Sequence, residues 1–273
     1  MPELPEVETV ARQLASAVTG RRVGRVRLLD PLLRKTPGWR APTSYGGRLV
    51  RRVFRHGKQV LFDLEPRASG ARPLFLAVHL RMTGRLGYSK NDHADREHLR
   101  AVIELDRGAV LFHDTRRFGT VRWLRDPEEA APGAVDPMGE RFTVGVLAEL
   151  LGGSKQELKP WLLRQDRLVG LGNIYASEIL HVARLSPVRP AGALTRAEVR
   201  RLRLATRKVL ARAIENCGTT FSDFQDAHGV TGSYQEYLAV YAREGEPCPR
   251  CREPVERLVQ QQRSTFFCPV CAR

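Results

Sequence analysis

An α+β chain in three parts is what this sequence predicts: a β-rich first half, a helical second part and a short metal-held tail. Three observations carry the prediction. Seven short β-like segments, separated by Gly, Pro, Asn and Asp turns, run between Val23 and Leu124. From Phe142 the apolar period lengthens to that of helices. Two Cys-x-x-Cys pairs fall within the last 26 residues.

In order, Val7, Val10, Ala11, Leu14, Ala17 and Val18 share one face of a helix that Gly20 ends. The β-like segments follow: Val23–Leu29, Arg48–Arg55, Gln59–Leu64, Leu74–Leu80, Leu99–Leu105, Ala109–Phe112 and Thr120–Leu124. Many alternate apolar residues with arginine, as strands with one wet face do, so an antiparallel sandwich packed with the first helix is expected. Asp126 to Gly139 is rich in Pro, Ala and Gly and reads as a linker. Val144–Leu151, Leu158–Leu163, Tyr175–His181, Arg196–Asn216 and Tyr234–Val240 are the candidate helices, with Thr195 and Glu198 as a capping box. The resulting division is 1–126, a linker 127–141, a helical part 142–243 and a tail 244–273.

The 273 residues are 42% hydrophobic, enough for two domains with their own cores. A net charge of +15 points to a polyanionic partner, and 39 of the 45 basic residues are arginine, whose fork suits phosphates and guanine edges. Base composition of the genome accounts for part of the arginine bias but not for the net excess. No apolar run reaches membrane-spanning length, and the start lacks a secretion signal, so a soluble intracellular protein is expected.

Cys248-Pro-Arg-Cys251 and Cys268-Pro-Val-Cys271 have the spacing of a closed, tetrahedral structural zinc site. The residues between them read as a β-hairpin, with Gln260, Gln261, Gln262 and Arg263 near its tip and suited to phosphates. The fifth cysteine, Cys217, is expected in the core.

The opening Met1-Pro2-Glu3-Leu4-Pro5-Glu6 carries the chemistry. Trimming of Met1 leaves Pro2 as a secondary amine with a reference pKa of roughly 8, neutral enough to attack a sugar C1′ as a nucleophile. Glu3 beside it could move protons on the same sugar. An ordinary helix start has the same composition, because proline and acids suit a helix N-terminus. Gly170-Leu-Gly-Asn173 between two helices fits a phosphate seat, or an αα-turn with glycine for backbone reasons. His113-Asp-Thr-Arg-Arg-Phe-Gly119 offers Phe118 beside arginine for insertion into a base stack, or a buried Phe with surface arginines. Met82 and Lys58 are equally open: core or wedge for the first, solvated turn or site residue for the second.

Together the segments MPELPEVETV, HGKQVLFDLE, HLRMTG, DTRRFG and GLGNIYASE and the CPRC and CPVC pairs resemble the formamidopyrimidine-DNA glycosylase family in order, across essentially the whole chain. The resemblance implies a bifunctional glycosylase and abasic-site lyase that removes 8-oxoguanine and formamidopyrimidines from duplex DNA. It implies an N-terminal β-sandwich, a helix–two-turn–helix domain and one zinc in a β-hairpin finger. DNA would lie in the cleft between the domains. Carried over residue by residue, Pro2 is the Schiff-base nucleophile, Glu3 the proton donor, Lys58 the β-elimination lysine and Arg263 the finger arginine of δ-elimination. Met82, Arg116 and Phe118 fill the gap left by the flipped base, and Lys155, Asn173 and Tyr241 contact DNA. Arg96 falls where the family has a DNA-contacting histidine. Arg81, Thr83 and Thr115 depart from the family's HLGMSG and DPRRFG. The lesion loop is expected within 222–234. A monomer acting on double-stranded DNA, cytoplasmic and nucleoid-associated, is the expectation. The rivals are an endonuclease VIII-type enzyme for oxidised pyrimidines and a non-catalytic zinc-finger binder, which would not need the Pro2-Glu3 pair.

Overall fold

The computed structural model describes residues 2–65, 72–90, 97–219 and 232–273. They divide into two compact units: 1–132 with 216–233, and 133–215 with 234–273. This differs from the division by sequence, in which 142–243 is one continuous stretch. The segment after residue 215 groups with the first unit, where the Thr219 backbone N–H donates to the Glu6 carboxylate at 2.7 Å.

In the first unit, helix α1 (Leu4–Val18) precedes eight strands: β1 (Val23–Leu28), β2 (Val50–His56), β3 (Gln59–Leu64), β4 (Leu74–His79), β5 (Gly84–Ser89), β6 (Leu99–Leu105), β7 (Ala109–Asp114) and β8 (Thr120–Leu124). They form two antiparallel four-stranded sheets, ordered β1-β6-β7-β5 and β2-β3-β4-β8. One core joins α1 to both sheets: Val7, Val10, Leu14 and Val18 pack with Val60, Phe62, Leu76 and Val78 of one sheet and Leu86, Ile103, Val110 and Phe112 of the other. Burial of so many apolar side chains, each worth about 2 kcal/mol, fixes the helix to the sandwich.

The helix starts three residues earlier than its apolar face suggests. Pro5 sits in its first turn, where no intrahelical N–H is needed, and Glu6 accepts from the Glu3 N–H at 2.8 Å. Strand β5 is absent from the seven sequence segments, because its two glycines and Arg, Tyr and Ser lack an apolar pattern. Every residue of β3 is buried. Its outer face is covered too: Leu61, Phe75, Ala77 and Leu124 cluster with Phe54 and with Ala130. Ala130 belongs to a 3₁₀ turn, Pro127–Ala130, so part of the expected linker is a lid on the second sheet.

The second unit holds α2 (Val144–Leu151), α3 (Leu158–Leu162), α4 (Asn173–Ala183), α5 (Arg196–Glu215) and the hairpin β9 (Glu256–Gln260) and β10 (Arg263–Phe267). The expected cap on α5 is present: Glu198 accepts from Thr195 N–H at 2.8 Å, and Thr195 Oγ1 accepts from Glu198 N–H at 3.3 Å. The expected helix at 234–240 is a 3₁₀ turn over Tyr234–Tyr237. Between α3 and α4, Gln165 stitches the turns, donating to the Leu163 and Leu171 carbonyls and accepting from Gly170 N–H. Cys217, expected in the core, is half-buried at φ 57° just past the end of α5, in the turn that stops the helix. No described helix is long and apolar enough to cross a membrane.

Candidate active site and nucleic-acid contacts

Pro2 and Glu3 are both buried at the head of α1. A chain end is ordinarily loose and solvated. Here α1 packs on β2 and β3, so its start is carried on the sandwich. Glu6, itself buried, holds the Glu3 N–H through Oε2 and the N–H and hydroxyl of Thr219 through Oε1. Gly218 takes φ 77°, and a Cβ there would sit 2.4 Å from Glu6 Oε1, so this close approach requires glycine.

Lys58 lies in the turn between β2 and β3 and is only 7% exposed, which rules out the solvated-turn reading. The turn is braced by Arg55, which donates Nε to Glu8 of α1 at 2.9 Å and Nη1 to the Gly57 carbonyl at 3.1 Å. One guanidinium thereby ties the helix that follows Pro2 and Glu3 to the turn that carries Lys58.

Met82 and Phe118 are 40% and 53% exposed, so neither is a core residue. Large apolar side chains held out at turn tips are what an intercalating wedge requires. The Arg116 guanidinium lies 4.9 Å from the Phe118 ring centroid. Its neighbour Arg117, at φ 60°, does a different job: it donates to both carboxylate oxygens of Asp30, at 2.6 and 2.8 Å, and anchors the turn to the sheet. That hydrogen bonding holds the Asp30 pKa down to about 2. His79, at the end of β4, accepts from the Arg81 N–H at 3.0 Å, and burial pushes its pKa down to about 3, so the ring is a neutral acceptor.

In the second unit, Asn173 is the first residue of α4, after Gly172. Its side chain is engaged within the fold: Oδ1 accepts from Lys159 Nζ at 2.7 Å, and Nδ2 donates to the Ser264 carbonyl at 3.0 Å. Lys155, the lysine singled out by sequence, is exposed. Lys159 is fully buried and also donates to the Ser264 carbonyl and Thr265 hydroxyl of β10. Sequence reasoning missed it, although a lysine set between Leu158 and Pro160-Trp161 is unusual company for a solvated charge. It also missed Glu178, a buried carboxylate of α4 that accepts from the N–H groups of Ala239, Val240 and Tyr241 at 2.8, 3.0 and 2.9 Å. Burial pushes its pKa up against the pull of those three donors. Glu178 thereby fixes the backbone of Tyr241, whose ring meets Phe266 of β10 edge-on at 5.1 Å.

Arg263 is exposed at the start of β10, next to the two-residue turn Gln261-Gln262, both at positive φ. Gln260, expected to face phosphate, is buried instead; it donates to Glu157 and the Pro187 carbonyl and accepts from Thr265. Its amide roots the hairpin, leaving Gln261, Gln262 and Arg263 outward. The Sγ atoms of Cys248, Cys251, Cys268 and Cys271 all lie within 4.8 Å of one another. Zn–S bonds of about 2.3 Å need tetrahedral sulfurs about 3.8 Å apart, so the set fits one structural zinc with no open position. Burial pushes the Cys268 thiol up to about 12 and raises Cys271. Four thiols so packed need a divalent cation to ionise together. Arg96 and residues 222–231 lie outside the described residues.

Three family models match the chain in order: the formamidopyrimidine-DNA glycosylase N-terminal domain over 1–121, the helix–two-turn–helix domain of the same enzymes over 134–225, and the zinc finger found in these enzymes and isoleucyl-tRNA synthetase over 245–273. Such a combination defines a DNA glycosylase of the helix–two-turn–helix class. The formamidopyrimidine-DNA glycosylase of Symbiobacterium thermophilum is 43% identical over 99% of this chain and 89% of its own length. The MutM (Fpg) protein of Thermus thermophilus superposes with a TM-score of 0.84 at 41% identity, covering 99% of this chain and 98% of that one. A Lactococcus lactis Fpg variant in complex with Fapy-dG-containing DNA superposes with a TM-score of 0.84 at 29% identity, covering both chains fully. The chain belongs to the formamidopyrimidine-DNA glycosylase family.

Proposed function

We propose that this chain excises oxidised purines, 8-oxoguanine and formamidopyrimidines, from duplex DNA and then cleaves the strand, with Pro2 as nucleophile. The observation that carries the reading is the buried Pro2-Glu3 start, held by Glu6 and braced through Glu8 and Arg55 to the turn of Lys58. The Pro2 nitrogen attacks C1′, and the base leaves with the bonding pair and takes up a proton. Glu3 gives a proton to the ring oxygen, which opens the sugar and leaves an iminium. The iminium acidifies C2′; loss of that proton expels the 3′ phosphate, and a second elimination expels the 5′ phosphate. Water then hydrolyses the iminium and frees Pro2. Lys58 serves the first elimination. Arg263 grips phosphate for the second.

Met82, Arg116 and Phe118 fill the stack when the lesion nucleotide is everted. Lys155, Asn173 and Tyr241 contact the DNA backbone, and Arg96 takes part in that set. Zinc supplies rigidity to the hairpin and no chemistry. The same reading gives a monomer acting in the cytoplasm on the nucleoid. The Lactococcus lactis relative is found in complex with Fapy-dG-containing DNA and with DNA containing an oxidised pyrimidine, so the choice of oxidised purines rests on membership of the formamidopyrimidine-DNA glycosylase family.

Borohydride trapping on an 8-oxoguanine duplex tests the nucleophile. Trimmed protein forms a covalent adduct that maps by mass spectrometry to Pro2, and a retained N-terminal tag abolishes it while DNA binding persists. An adduct formed by the tagged protein at the normal rate would remove Pro2 from the role.

A further inference from the structure

Met82 and Phe118 stand on different turns of the first unit, yet both turns close on the same two side chains. The first turn joins β4 to β5 and is tied off by a hydrogen bond from Gly84 N–H to the Leu80 carbonyl, at 3.0 Å. A Cβ on Gly84 would fall 2.3 Å from that carbonyl oxygen, so the turn is as tight as backbone allows. The second turn runs from Asp114 at the end of β7 to Gly119. Asp114 Oδ2 accepts from Gly119 N–H at 2.7 Å, and a Cβ on Gly119 would strike the Phe112 ring at 2.3 Å.

Thr83, the residue after Met82, joins the two. Its hydroxyl donates to Asp114 Oδ1 in a short hydrogen bond, and Thr83 Oγ1 in turn accepts from the Arg116 N–H at 3.1 Å. Asp114 is 1% exposed, so its carboxylate depends on these donors. A single hydroxyl used as donor and acceptor has a fixed orientation, and it fixes the turn of Met82 against the turn of Arg116 and Phe118.

We propose that Thr83 and Asp114 are positioning residues that lock Met82, Arg116 and Phe118 into one wedge, so that base eversion depends on the Thr83 hydroxyl. The proposal rests on the wedge reading given above. Thr83→Val keeps shape but leaves an Asp114 oxygen and the Arg116 N–H without their partner. The two turns then move independently, and the wedge loses its preorganised geometry. Thr83→Ser keeps the hydroxyl and the lock.

The test measures single-turnover excision from an 8-oxoguanine duplex beside strand cleavage of a preformed abasic site, for Thr83→Val, Thr83→Ser, Met82→Ala, Phe118→Ala and the double variant Thr83→Val/Phe118→Ala. Expected are a tenfold or greater loss of excision in Thr83→Val, abasic-site cleavage within about twofold of the parent, recovery in Thr83→Ser, and a double variant no slower than Phe118→Ala alone. Cooperative thermal unfolding of Thr83→Val shows that the variant is folded. Normal excision by Thr83→Val while Met82→Ala and Phe118→Ala are impaired overturns the lock and leaves the wedge standing. Equal losses on both substrates overturn it in favour of a merely structural role. Normal excision by Met82→Ala and Phe118→Ala removes the wedge, and the lock with it.

Discussion

The ammonium of Lys159 lies 2.7 Å from Asn173 Oδ1 and 2.8 Å from the Ser264 carbonyl, so one buried cation fixes both the start of α4 and the strand that begins at Arg263. The amide of Asn173 completes the link by donating to the same Ser264 carbonyl. The start of α4 and the start of β10 are therefore placed by a side chain that never meets solvent.

Lys159→Met should cost about 3 kcal/mol of stability, because it leaves Asn173 Oδ1 and Thr265 Oγ1 without their donor and takes one of two donors from the Ser264 carbonyl. Denaturant unfolding measures the loss. Lys155→Met, at an exposed position, should leave stability within about 0.5 kcal/mol and weaken DNA binding through lost charge, with a smaller salt slope. Equal stability of the two variants would mean that the buried ammonium carries no structural weight.

One zinc per chain is expected by metal analysis. Its removal should unfold the hairpin, which has few apolar contacts of its own, and release Arg263 from its rigid mount. Far-ultraviolet circular dichroism and DNA affinity should change together on chelation and recover with added zinc. Affinity that survives complete metal removal would detach the hairpin from DNA binding.

The Asp30–Arg117 pair makes a pH prediction. The Asp30 pKa is held down to about 2, so its contribution is complete above the unfolded value near 4 and is lost as pH falls through 2. Asp30→Asn should cost about 1 kcal/mol at pH 7, roughly half the full linkage value because Arg117 is partly solvated. The gap in melting temperature between parent and variant should hold steady from pH 7 to 5 and close between 4 and 2. A gap that stays constant down to pH 2 would show that lost packing, and not the ionic hydrogen bond, accounts for the difference.

What could be read along the chain is what is encoded locally. The buried α1 face follows from apolar spacing, the hairpin turn from chain polarity between two Cys-x-x-Cys pairs, and the Met82 and Phe118 turns from short motifs ending in glycine. Each depends on residues a few positions apart. The all-buried β3 was less legible, since its second apolar face is covered by a turn about seventy residues later.

The charged interior was decided by the tertiary structure. Glu6 with Thr219, Arg117 with Asp30, Lys159 with Ser264 and Glu178 with Tyr241 are partners 63 to 213 residues apart. A carboxylate or ammonium reads as surface unless its partner is known, because burial costs several kcal/mol without one. The sequence by itself determined the family and the four cysteines of the zinc set. Which lysine is buried beside Asn173, which arginine anchors its turn and which glutamine roots the hairpin were set only when the folded chain brought distant polar groups together and removed the water.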